Sequence, residues 1–304
     1  MCENSAIGVL MSDLSEFLPP PDYDSPAALK KFLDENGMAM QKKFGQNFLI
    51  NGNARVRLID TLDIGAGSTV WEVGPGLGAM TKEILSRGAK LTVFEIDRGF
   101  ASFIGKFFEP YARSGAFILR EGDVLKTWKQ AAEQGIPDRF FGNLPYNIAA
   151  AIVGDLISAG IRFDKAVVTV QKEVAERMCA AAGDGNYSSF SVLCNWAYDV
   201  QPVMDLAGGN FWPRPNVDSR AVLMTKKAAF PCCENPGHFM QLQRSLFVSR
   251  RKTVKNNLTA FYRNAEKAAD VLSAAGIDPQ QRAERLTVEQ LLQLSDISNQ
   301  HITE

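Results

Sequence analysis

A short β-type run, Thr69–Val73, passes straight into Gly74-Pro75-Gly76-Leu77-Gly78, and a helical pattern begins at Ala79. A strand that turns through closely spaced glycines into a helix restricts the fold more than any other stretch of this chain. Such a loop lets backbone approach a ligand and sets a helix N-terminus beside it. The surroundings continue the theme. Lys90–Glu95, Ala116–Leu119, Arg139–Gly142 and Ala166–Val170 read as strands, with helical patterns near 79–87, 98–108, 126–134 and 148–159. Strands alternating with helices make a mostly parallel sheet covered on both faces. Two further runs, Ser191–Tyr198 and Ser219–Thr225, have no obvious crossover helix between them and read as an antiparallel edge. After about residue 228 apolar residues recur at helical spacing, as in Phe239, Leu242, Leu246 and then Val254, Leu258, Phe261.

The expected fold class is therefore α/β: a Rossmann-like sheet with an antiparallel edge, then a small all-helical C-terminal domain. Residues 1–37 are expected to form an N-terminal extension, loose to about residue 25 and then helical over 26–36 up to Gly37. Residues 38–227 form the α/β domain and 228–304 the helical one. In 304 residues no unbroken apolar stretch reaches the ~20 residues of a membrane span, and the N-terminus is acidic where a signal peptide is basic. The expectation is a cytoplasmic protein without a membrane partner. Five cysteines, odd in number and lacking C-x-x-C spacing, indicate neither a disulfide framework nor a zinc ribbon. With His238 and His301 as the two histidines, most histidine-based metal sites and Ser-His-Asp triads are removed, and no metal is expected.

The net charge of −1 argues against a nucleic-acid partner only on average. Lys42 and Lys43 follow an acidic lead-in, and residues 238–263 hold Arg244, Arg250, Arg251, Lys252, Lys255 and Arg263 without a single acid. A solvated helix face and an RNA-binding patch both fit such a run.

Gly74, Gly76 and Ala79 satisfy the G-x-G-x-x-A dinucleotide fingerprint, and Glu95 stands 21 residues beyond Gly74, where an acid grips ribose hydroxyls. A nicotinamide-dependent dehydrogenase thus competes at this point. Asp123, after the third strand, can cap a helix or accept from an adenine amino group. Taken together, Gly74, Glu95 and Asp123 end three successive strands and line one crevice, which fits S-adenosylmethionine.

The fourth strand ends in Asn143-Leu144-Pro145-Tyr146. An exocyclic adenine amine is a poor nucleophile because its lone pair is delocalised into the ring. A site that methylates it must accept both N–H bonds and draw the nitrogen toward tetrahedral geometry. The Asn143 side-chain oxygen and the Leu144 carbonyl can do so, Pro145 fixes the turn, and Tyr146 offers a ring for stacking. No strong base is required, since the amine becomes acidic as it takes the methyl group.

These stretches, with Lys42–Leu49, Phe94–Asp97, Gly122-Asp123, Phe211–Ser219, Arg250–Leu258 and Arg282–Leu286, closely resemble the small-subunit ribosomal RNA adenine dimethyltransferases over residues 26 to 295. The chain departs from the family pattern at Ser188-Ser189-Phe190, where a glycine and a small or aliphatic residue are usual, and at Asn216, where a lysine is usual. The resemblance implies donor contacts at Asn47, Leu49, Gly74, Glu95, Asp123 and Asn143, with Glu72 supporting the methionine end indirectly. It also implies a target base between the rings of Tyr146 and Phe211. The implied reaction transfers four methyl groups to two adjacent adenosines in the 3′-terminal hairpin loop of small-subunit rRNA, late in assembly. Lys42, Lys43, Arg250, Arg251, Lys252 and Lys255 are the expected RNA contacts, an immature 30S particle the expected partner, and a monomer the expected state. A large-subunit rRNA dimethyltransferase, a dehydrogenase and a non-catalytic assembly factor stand as rivals.

Overall fold

The computed structural model describes residues 20–41, 44–145 and 148–303. Helix α1 (Pro26–Glu35) starts where the Ser25 side chain accepts from the Ala28 amide and Pro26 presets the first turn. It ends before Gly37, whose φ is 61°. Strand β1 (Phe48–Leu49) leads into α2 (Gly52–Leu62), capped by Asn51. Then come β2 (Thr69–Val73), α3 (Ala79–Ser86), β3 (Lys90–Glu95), α4 (Arg98–Phe107), α5 (Glu109–Arg113), β4 (Phe117–Glu121), α6 (Val124–Ala132), β5 (Arg139–Asn143), α7 (Ala149–Ser158) and β6 (Lys165–Gln171). The strands inferred from sequence in this region are all present.

Strand order in the main sheet is β4-β3-β2-β5-β6-β9-β7, with β7 spanning Tyr198–Leu206 and β9 Ser219–Lys226. Strands β4, β3, β2, β5 and β6 pair in parallel. Val73 lies beside both Phe94 and Gly142, and Glu95 beside Glu121. Four strand ends therefore finish at one edge, and the chain winds in opposite directions from β2 and β5. That reversal is where an open α/β sheet leaves a crevice for a ligand. Strand β6 is buried along Ala166–Val170, as a strand covered on both faces must be. Trp71 on β2 packs against Phe94 and Phe163, ring centroids 5.2 and 5.7 Å away.

One inferred strand is corrected. Ser189–Ala197, covering most of Ser191–Tyr198, is helix α9, and the strand begins only at Tyr198. Ser188 and Ser191 cap α9 reciprocally, side chain to backbone in both directions, which favours a helix start there. The helix α8 (Lys172–Cys179) precedes it. A second, two-stranded sheet pairs β1 antiparallel with β8 (Phe211–Trp212), placing Phe48 opposite Trp212 and Leu49 opposite Phe211.

The chain divides into two compact units. The first holds the described residues up to 152, with 163–172 and 202–223; the second holds 153–162, 173–201 and 224 onward. Residues 20–37, inferred to be an extension, belong to the first, where Leu29 and Leu33 are buried with Leu77 and Phe100. The second contains α10 (Pro236–Phe247), α11 (Val254–Tyr262), α12 (Ala265–Ala274) and α13 (Val288–Thr303). Phe239, Leu242, Leu246, Val254 and Leu258 form its buried interior at the inferred helical spacing. Buried Asn257 donates to the carbonyls of Leu246 and Ser249 (2.8 and 3.3 Å) and so holds the start of the basic 249–252 loop. Among the described residues no helix is long and apolar enough to cross a membrane.

Candidate active site

The crevice at the ends of β2–β5 is lined by Asn47, Leu49, Gly74, Glu95, Asp123 and Asn143, which brings together all six inferred donor contacts. Leu144 and Pro145 line it too. The glycine loop is shaped by its neighbours. Gly76 has φ 58°, and a Cβ there would lie 2.9 Å from the Phe48 ring, so only glycine allows this approach.

Glu95 ends β3 almost fully buried. Its carboxylate accepts from the amides of Asp97 (2.8 Å) and Gly76 (3.3 Å), tying the second strand end to the glycine loop. Glu72, on β2, accepts from the Thr81 hydroxyl at 2.7 Å. Burial pushes the Glu95 carboxyl up to about 7, against the opposing pull of the Asp97, Gly76 and Ile96 amides. Burial likewise pushes Glu72 up to about 8, and the neighbouring Glu95 charge adds to the rise. Asp123 caps α6 by accepting from the Leu125 amide at 3.0 Å, and it also lines the crevice.

Asp97 gathers the preceding segment. It caps α4 and accepts from the side-chain amides of Gln41 and Gln46, each at 3.1 Å. The Gln46 oxygen in turn accepts from the Gln41 backbone amide at 2.8 Å. This fixes the segment that carries Asn47, whose carbonyl accepts from Asn143 Nδ2 at 3.0 Å. The Asn143 amide is thereby oriented, with Oδ1 as its acceptor. The Leu144 amide donates to the Thr169 carbonyl at 3.1 Å, while the Pro145 carbonyl accepts from Ile148 and Ala149 at the entry to α7. The turn is thus held by β6 on one side and by a helix start on the other.

Tyr146, Lys42 and Lys43 lie outside the described residues. Phe211 is set apart from the crevice: it is 3% exposed within the apolar cluster that contains Leu49 and Leu206. In the basic run, Arg251 and Lys252 are exposed and Lys255 half-buried. Arg250 instead pairs with Glu284 at 3.1 Å and donates to the Gly185 carbonyl at 2.8 Å. Sequence distance hid that acid from a local charge count.

Two lining residues have no motif around them. Tyr23 donates its hydroxyl to the Leu77 carbonyl at 2.9 Å, and Arg55 lies against the same space. Only the fold brings positions 23, 55 and 77 together. Among the described residues no cluster of histidine, cysteine, aspartate and glutamate could hold a metal ion.

The donor set suits S-adenosylmethionine. Buried Glu72 and Glu95 gain from a ligand that carries positive charge, since unpaired buried carboxylates are costly. The Glu95 carboxylate can also accept from a ribose diol.

Residues 37–300 match the family model described as ribosomal RNA adenine dimethylase. The chain belongs to the ribosomal RNA adenine dimethylase family. Its relatives include proteins named ribosomal RNA small subunit methyltransferase A: one from Treponema denticola, 48% identical, spans 92% of this chain and 97% of the relative. Another from Borreliella burgdorferi is 37% identical over 91% and 95%. A dimethyladenosine transferase structure from Plasmodium falciparum superposes with TM-score 0.68 at 26% identity, covering 80% of this chain and 94% of that one. As a member of the rRNA adenine dimethylase family the protein is a methyltransferase whose donor is S-adenosylmethionine. The dehydrogenase reading of the glycine loop is thereby removed.

Membership and electrostatics together give a pH dependence. Both carboxyl groups sit above their ordinary 4.5, so without ligand they contribute stability below about pH 4.5 that is lost as pH rises toward 7 and 8. A cationic donor favours the ionised forms, so its stabilising effect grows over the same window. The rise in melting temperature at saturating donor should be larger at pH 8 than at pH 6 by differential scanning fluorimetry. An equal or smaller rise at pH 8 contradicts this account.

Proposed function

We propose that this protein dimethylates the N6 amines of two adjacent adenosines in the 3′-terminal hairpin loop of small-subunit rRNA. It acts late in assembly on an immature 30S particle, as a cytoplasmic monomer. The observation that carries the reading is the Asn143 amide, its nitrogen committed to Asn47 at the edge of the donor crevice. The small-subunit names of its relatives support the choice of RNA.

Bound S-adenosylmethionine supplies an electrophilic methyl group on a sulfonium centre. Glu95 accepts from the ribose hydroxyls and Asp123 from the adenine amine of the donor, while Asn47, Leu49 and Gly74 line its path. Asn143 Oδ1 and the Leu144 carbonyl accept the two N–H bonds of the target amine and favour its tetrahedral form. Transfer of the methyl group to the nitrogen would release the donor as a neutral thioether, and the proton lost by the methylated nitrogen would pass to solvent. The second transfer uses the remaining N–H. Pro145 holds the turn, and Tyr146 supplies the stacking ring. Phe211, paired with Leu49 across β1 and β8, is assigned as the second ring flanking the base. Loop bases are already partly unstacked, which lowers the cost of bringing one into the site.

Arg251, Lys252 and Lys255, with Lys42 and Lys43, supply phosphate contacts. Replacing Arg251, Lys252 and Lys255 by alanine should weaken binding to immature small subunits and reduce the slope of log affinity against log salt by roughly one per lost contact. An unchanged slope removes these side chains from the interface.

The function itself is tested by incubating labelled donor with immature small subunits and with large subunits, then locating dimethyladenosine by mass spectrometry. Two adjacent dimethylated residues near the 3′ end of small-subunit rRNA are expected. Label in large-subunit rRNA overturns the assignment. RNA binding without any methyl transfer favours a non-catalytic assembly factor.

A further inference from the structure

The donor crevice has a marked imbalance. Glu72, Glu95 and Asp123 face it, yet Arg55 is the one lysine, arginine or histidine among the described residues that line it. The methionine end of the donor carries a carboxylate as well as an ammonium group. A carboxylate placed in such a crevice without a cation would be repelled and left unpaired.

Arg55 projects from the first turns of α2, outside every stretch that carried the family resemblance. Its side chain is 9% exposed. Nη1 donates to the Leu49 carbonyl at 2.8 Å and Nη2 pairs with Asp24 at 2.6 Å. These bonds aim the guanidinium while occupying two of its five donors. Asp24 is largely solvated, its side chain 62% exposed, so a second oxyanion need not displace it. The Tyr23 ring lies 5.8 Å from the guanidinium carbon and is itself pinned to the glycine loop through Leu77.

The strand order locates this corner along the crevice. From β4 to β3 to β2 the strand ends carry Asp123, then Glu95, then the glycine loop after Glu72. With the donor adenine at Asp123 and its ribose at Glu95, the methionine end falls at β2. Arg55 lines the same crevice as Glu72, and its neighbour Tyr23 bonds Leu77 of the glycine loop, which sets the guanidinium at that end.

We propose that Arg55 binds the α-carboxylate of the donor through its remaining guanidinium N–H groups, and so selects for the intact amino-acid end. This assignment rests on the donor site described above.

Calorimetric titration of the full chain tests it with four ligands: S-adenosylmethionine, S-adenosylhomocysteine, decarboxylated S-adenosylmethionine and 5′-methylthioadenosine. The last lacks the amino-acid end. Arg55→Met should weaken S-adenosylhomocysteine binding by about tenfold to a hundredfold, the range of a charge-assisted hydrogen bond, and leave 5′-methylthioadenosine unchanged. Arg55→Lys should recover part of the loss. The unaltered protein gives an arm that does not depend on a variant folding: it should bind S-adenosylmethionine at least about tenfold more tightly than the decarboxylated form. Equal affinity for those two ligands overturns the proposal. Equal losses for S-adenosylhomocysteine and 5′-methylthioadenosine in Arg55→Met also overturn it, since they mark Arg55 as a support for the crevice wall. If the unaltered protein binds 5′-methylthioadenosine but discriminates against no amino-acid end, Arg55 fails and the donor site stands. If it binds none of the four, the donor site fails with it.

Discussion

Asn143→Ala is expected to lower methyl transfer to immature small subunits by roughly a hundredfold to a thousandfold, the cost of deleting one preorganised polar group that acts on a developing charge. The substitution removes Oδ1, the atom proposed to accept from the target amine. It also removes the Nδ2 bond to the Asn47 carbonyl at 3.0 Å. The second loss reaches the donor wall, so donor affinity should fall modestly while turnover collapses. Single-turnover rates at saturating donor separate the two effects. A variant that retains full single-turnover rate shows that the amide does not act on the amine. Asn143→Asp adds a useful contrast: it keeps an acceptor but loses the Nδ2 donor, and its carboxylate would face the Asn47 carbonyl.

Glu95→Ala is expected to weaken donor binding by roughly 10²–10⁴, because two charge-assisted hydrogen bonds to a ribose diol are lost at about 1.5–3 kcal/mol each. Part of the loss has an internal origin. The same carboxylate accepts from the Gly76 and Asp97 amides, and removing it leaves both without that partner. A 2′,3′-dideoxy donor analogue isolates the diol contribution. If Glu95 acts on the diol, the analogue binds the unaltered protein weakly and loses little more on substitution. If the analogue and the natural donor lose equally, Glu95 serves only the loop and the β3 end.

How much of this could be read from the chain depends on the range of the interactions. Strands β2 to β6 were legible because each is a short β-branched or aromatic run between helical stretches, and their ends carry Gly74, Glu95, Asp123 and Asn143. Sequence order and parallel winding together bring those positions to one edge. Ser189–Ala197 was misread because Val192, Leu193, Cys194, Trp196 and Ala197 are all buried, and a run apolar but for Asn195 has too little period to distinguish helix from strand. The serine pair at its start was the available signal. Helix α2 went unread, and with it the placement of Arg55, which is set by partners 6 and 31 residues away. The acid-free basic run of six charges is less free of acids in the fold than along the chain, because Glu284 from a later turn pairs with Arg250.

The short ladder between β1 and β8 has a mechanical consequence. Leu49, in the wall that faces the donor, stands opposite Phe211, and Phe48 beside it stacks on Trp212 with ring centroids 6.2 Å apart. Backbone hydrogen bonds transmit displacement from one member of such a pair to the other. A displacement of Phe211 is therefore carried to Leu49 in the crevice wall, and by thermodynamic reciprocity a ligand that restrains Leu49 restrains Phe211 in turn.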